Sequence, residues 1–193
     1  MHISKDRVII LSNKSKSKIL WITRTAIFIA LLIVLQAATM PLGNTIVTGS
    51  IVNLLLIVSV MICGLASGLS VAAVSPVMAK FLGIGPLWSL IPFIVAGNIA
   101  LVLLWHLIGN RNIGRRHTAY IIALVSAAAA KFLVLYVGIV RIAIPVILDL
   151  PEQQAAVISS MFSFSQLITA LVGGMVTSAL LPTLIKAIGE RWS

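Results

Sequence analysis

Acidic residues are nearly missing from this chain: four Asp and Glu in 193 residues, against 14 Lys and Arg. Asp6 and Glu190 lie near the two ends, Asp149 and Glu152 share one loop, and none falls inside an apolar run. That excludes paired intramembrane carboxylates, and with them the proton- or sodium-coupled transport that such groups serve. Cysteine occurs once, as Cys63 within an apolar stretch, so neither a disulfide framework nor a Cys-based metal cluster can form. The three histidines, His2, His106 and His117, belong to no HExxH motif, and no Gly-rich nucleotide loop is present. An enzyme or an ATPase needs such groups. No catalytic residue, metal or cofactor is expected.

Charge as a whole is scarce at 9% of residues, whereas 60% are hydrophobic and the mean hydropathy is +1.15. A soluble domain carries roughly 25% charged residues. The composition therefore predicts an all-α integral membrane protein. A bilayer core of ~30 Å takes ~20 apolar residues per helix. The apolar runs predict six transmembrane helices, at about 19–38, 46–62, 66–82, 87–108, 118–142 and 155–185, forming one domain over 19–188 behind a basic tail, 1–18. Residues 46–79 carry no charge over 34 positions, too long for one span, so a tight turn is expected at Gly64–Gly68. Pro41–Asn44, Gly83–Pro86, Gly109–Arg116 and Pro145–Gln154 supply the other turns. The last span is long enough to kink near Gly173-Gly174. The first apolar stretch, Trp21–Met40, is longer than a signal peptide's h-region of ~7–15 residues and is read as a retained span.

A net charge of +10 could mean nucleic acid, but the basic residues sit at the ends of apolar runs, where lipid headgroups attract them. With six spans, Lys5, Arg7, Lys14, Lys16, Lys18, Arg24, Arg111, Arg115, Arg116, Lys186 and Arg191 share one face, leaving only Lys80, Lys131 and Arg141 elsewhere. The positive-inside rule makes that face, and both termini, cytoplasmic. A five-span chain would scatter them. No nucleic-acid partner is expected, and the bilayer is.

Lys131 is the conspicuous polar residue. It lies within the fifth span between Ala127–Ala130 and an apolar tetrad, where a lysine costs ~2.5–3.5 kcal/mol on insertion scales unless it meets a partner or a cavity. It can snorkel or pair structurally, or it can face a ligand. Arg141, ten residues on, lies ~80° away around an ideal helix, so both could border one outward cavity, or Arg141 could be an ordinary interfacial arginine. Gln36, Asn44, Thr45, Trp88, Asn98, Tyr136, Ser163 and Gln166 gather towards the same side. Trp88 and Tyr136 fit an aromatic belt as well as a binding site, and Asn98 and Gln166 fit interhelical hydrogen bonding as well as ligand contact. Ala26 and Ala30, four apart on one face of the first span, allow another helix to approach closely.

Together these segments resemble the substrate-binding S components of energy-coupling factor (ECF) transporters. The similarity covers Thr23 to about Ile185: the opening Thr23-Arg24-Thr25-Ala26-Ile27-Phe28-Ile29-Ala30, with its A-x-x-x-A pattern, then Val47–Asn53, then Ile91–Asn98. It implies a vitamin-binding subunit with its pocket near the outer face, lidded by residues 41–45. The implied partners are a membrane T component, docked on Ala26 and Ala30, and two cytoplasmic ATPase subunits. Ligand residues do not transfer within that family. Lys131, Arg141, Asn98, Tyr136, Gln166, Trp88 and Asn44 are candidates from the residues themselves, and the cations favour an anionic pantothenate-, biotin-, niacin- or lipoate-like molecule. A structural or assembly protein without a ligand is the competing reading, and a lipid-modifying enzyme is disfavoured by the missing acid–base groups.

Overall fold

A computed structural model describes residues 5–85, 87–111 and 116–189. Pro86, the loop cation Arg115, His2 and the C-terminal Arg191 lie outside the described residues. Within them the chain is helical and has no strand. The helices are α1 (Lys5–Thr39), α2 (Thr45–Cys63), α3 (Leu65–Phe81), α4 (Ile91–Gly109), α5 (Arg116–Leu135), α6 (Glu152–Met161) and α7 (Phe164–Gly189). Short 3₁₀ turns at Met40–Leu42 and Trp88–Leu90 precede α2 and α4, and a π-helical stretch, Tyr136–Ile147, prolongs α5. Five helical stretches are long and apolar enough to cross a membrane, and α3 is a shorter apolar helix of 17 residues.

Local chemistry sets the breaks. Asn44 caps α2, its Oδ1 accepting from the backbone N–H of Ile46 at 3.0 Å and Val47 at 3.3 Å. The turn between α2 and α3 narrows to Gly64 alone, at φ +87°, a conformation that favours glycine. Gly68, expected in that turn, lies inside α3, where a Cβ would sit 2.6 Å from the Cβ of Val60. It permits the close return of α3 along α2.

Two expectations about helix shape are corrected. The last span is not one helix: it breaks at Phe162-Ser163, and Gly173-Gly174 lie within continuous α7. These glycines admit close neighbours, since a Cβ on Gly173 would meet the backbone oxygen of Ser50 at 2.5 Å. Helix also continues past residue 142 to Ile147, with Pro145 inside. The widened i→i+5 register, closed by Leu148 N–H to the Ala143 carbonyl at 2.8 Å, accommodates the proline that an α-turn would reject.

Helix α2 packs against α1, α3, α4 and α7, and α5 against α4 and α7. The larger apolar core surrounds Leu56, Ile57, Leu101, Val102 and Trp105, all fully buried. A smaller one joins Leu90, Leu135, Ile139, Ala143 and Phe162. By contrast α1 is held along one side only. Thr25 donates to Ser67 Oγ of α3 at 2.9 Å and Leu32 enters the core, while Ile22, Ala26, Ile27, Ala30, Leu31 and Val34 are exposed.

Candidate functional site

The polar residues of the apolar spans converge at one place. Lys131 of α5 is 3% exposed, and its Nζ donates to Asn53 Oδ1 of α2 at 2.6 Å and to Asn98 Oδ1 of α4 at 2.7 Å. Asn53 Nδ2 in turn donates to Thr169 Oγ1 of α7 at 3.3 Å. Four helices are thus tied through one ammonium. No carboxylate among the described residues pairs with it. An ammonium has three N–H donors, so two go to amide oxygens and one is left over.

Lys131 and Asn98 stand on the wall of a cavity of about 600 Å³, within the ~300–1,000 Å³ usual for small-molecule sites. The cavity lies where the end of α1, the start of α2, the end of α3 and the start of α4 meet. Leu32 and Gln36 of α1 and Met40 of the turn after it line it, as do Thr48, Gly49 and Val52 of α2 and Ser75, Pro76, Ala79 and Lys80 of α3. Ile91 and Ile94 of α4, Leu135 of α5 and Ile158, Met161, Phe162 and Gln166 from α6 and the start of α7 complete the wall. Gly43 and Asn44 border it from one connection, next to Thr45 at the start of α2, and Ile84, Gly85 and Leu87 from the other. The lining holds two cations, Lys131 and Lys80, and no carboxylate among the described residues.

Of the residues singled out in the sequence, Lys131, Asn98, Gln166 and Asn44 line this cavity. Gln166 also donates to the Met161 carbonyl at 3.1 Å, bracing the break before α7. Arg141, Tyr136 and Trp88 are off the lining. Arg141 is exposed and lies over the Tyr136 ring at 5.5 Å, and that ring stacks on Phe132 at 5.6 Å. The expected common border of Lys131 and Arg141 is therefore corrected: the angular count assumed α geometry, and the helix leaves it at Tyr136. Trp88 is 51% exposed and meets Phe81 edge-on at 5.0 Å. Ala26 and Ala30 are both exposed on the free side of α1.

Lys80, Ser75 and Asn53 went unremarked as site candidates. Lys80 reads as a boundary marker at the end of an apolar run, and a serine within a span is unremarkable by itself. Asn53 had a signal: an amide within a span is costly wherever it falls, so the rule that drew attention to Asn98 applies equally to it.

The family model for "ECF transporter, substrate-specific component" matches residues 21–188. No curated protein and no solved structure matches the chain significantly.

Proposed function

Because the chain belongs to the substrate-specific components of ECF transporters and is a multi-pass membrane protein, we propose that its 600 Å³ cavity captures a vitamin-like micronutrient bearing a carboxylate or phosphate. The observation that carries this reading is Lys131. A buried ammonium on a carboxylate-free wall, with two N–H groups fixed by Asn53 and Asn98 and one left over, is prearranged for an anion. The amide oxygens orient the ammonium without neutralising it, so its charge remains available. In a site screened from water such a charge-assisted hydrogen bond is about twice as strong as a neutral one. Lys80, at the end of α3, adds a second positive charge to the wall.

The cytoplasmic placement of the basic flanks puts both termini inside and opens the cavity outward. Gly43–Thr45 at its border then serves as part of the lid. Energy for release comes from partners, a membrane T component and two cytoplasmic ATPase subunits, and the exposed Ala26–Ala30 face of α1 is the surface on which the T component docks. Calorimetry on the purified protein tests the ligand class. An anionic vitamin should bind at least tenfold more tightly than its uncharged amide; equal affinities would reject the anionic reading.

A further inference from the structure

Arg141 and Tyr136, both off the cavity, belong to a second arrangement. The guanidinium lies 5.5 Å from the centre of the Tyr136 ring, that ring stacks on Phe132 at 5.6 Å, and Phe132 stacks on Phe164 of α7 at 5.7 Å. One cation and three rings form a continuous ladder joining the prolonged α5 to the start of α7, just beyond the break at Phe162-Ser163. Its outer surface is open: Arg141 is exposed, Phe164 is 70% exposed, and Phe132 and Tyr136 are partly buried. Ile168, one turn beyond Phe164 and also exposed, continues the apolar end.

In a chain that crosses a bilayer this surface faces lipid. The span runs from His117 to Ile147, and Arg141 lies close to its end. An arginine in that place ordinarily snorkels towards the nearer interface. Arg141 is instead held back along the helix, on the ring of a residue one turn earlier. No carboxylate among the described residues pairs with it, including Asp149 and Glu152 of the following loop. A cation–π contact holds the guanidinium by its charge and leaves N–H donors for an acceptor. Away from water such donors are costly unless they find one. The planar fork of an arginine suits a phosphate, and the phosphodiester of a neighbouring lipid supplies it.

We infer that this ladder is a phospholipid site: Arg141 takes the phosphate of an anionic phospholipid, and the surface of Phe132 and Phe164 takes one of its acyl chains. Charge complementarity selects this occupant, since an apolar helix laid on the rings would leave the guanidinium without an acceptor. The bound lipid clasps the prolonged end of α5 to α7. The site is independent of the cavity and its solute, because none of Phe132, Tyr136, Arg141 and Phe164 lines the cavity.

Native mass spectrometry of the intact purified protein in detergent, titrated with dioleoyl phosphatidylglycerol or with dioleoylglycerol, tests the site. The two probes share their chains, and only the first carries a phosphate. Phosphatidylglycerol should bind at least about fivefold more tightly, the effect of one basic side chain near a lipid surface. Arg141→Gln should bring it down to the level of dioleoylglycerol. Arg111→Gln removes an exposed cation from the connection between α4 and α5, at the other end of that helix, and should change nothing. Phe164→Ala should weaken both probes alike, because it removes chain contact and no charge. Melting curves without lipid verify that each variant folds. Affinity for phosphatidylglycerol unmoved by Arg141→Gln, or lowered as much by Arg111→Gln, overturns the inference. Displacement of the lipid by millimolar inorganic phosphate overturns it as well, because the site would then be one for a free anion.

Discussion

Replacing Lys131 by methionine, which keeps length and apolar volume but removes the charge, separates two roles that the residue combines. In the folded protein Nζ donates at 2.6 and 2.7 Å to two side-chain amide oxygens and sits on the cavity wall. For stability, the substitution leaves Asn53 Oδ1 and Asn98 Oδ1 without a donor, at about 1–3 kcal/mol each. It also removes the cost of burying an unneutralised ammonium, several kcal/mol in the opposite direction. These terms largely cancel, and the melting temperature in detergent should move by only a few degrees. Binding has no such compensation. Truncating one side of a buried charged contact costs about 2–5 kcal/mol, so affinity for the anionic ligand should fall at least about 30-fold. Calorimetry and melting curves on the same preparations supply both numbers. Unchanged affinity with a large fall in melting temperature would refute the reasoning and leave Lys131 a structural cross-link.

Ala26→Trp and Ala30→Trp each place a large side chain on the exposed face of α1, and should abolish co-purification with the T component. Unchanged assembly in both variants would reject that docking face. Gly173→Ala puts a methyl 2.5 Å from the Ser50 carbonyl oxygen and 2.9 Å from Asn53 Cβ. Forcing α7 away from α2 should cost about 1–3 kcal/mol, visible as a lower melting temperature. Orientation is accessible by labelling in a Cys63→Ala background: Leu42→Cys should react with an impermeant maleimide in intact cells, and Asn110→Cys only after permeabilisation.

Much of the bundle was legible because its signals are coarse and strong. Apolar runs, Gly64, Asn44 and the proline turns locate most helices to within a few residues, although α1 begins at Lys5, inside the stretch read as a tail, and the isolated charge of Lys131 is visible against apolar neighbours. The detail that escaped depends on geometry that sequence patterns do not encode. A period of 100° per residue cannot foresee the π-helical register after Leu135, and that register is why Arg141 leaves the side of Lys131. The Gly173-Gly174 pair reads as flexibility along the chain, whereas its use is lateral, in the approach of α2.

The cross-brace of Lys131, Asn53, Asn98 and Thr169 has a consequence for the protein's lifetime. One ammonium joins four helices and also stands on the cavity wall, so on the function proposed above occupancy and structural integrity are thermodynamically linked. Any ligand that binds the folded form alone adds RT ln(1 + [L]/Kd) to its stability, about 2.7 kcal/mol at a hundredfold excess over Kd. The empty subunit is correspondingly the easier target for membrane proteases. On the proposed function its abundance in the cell should therefore follow the supply of the ligand, without a dedicated regulator.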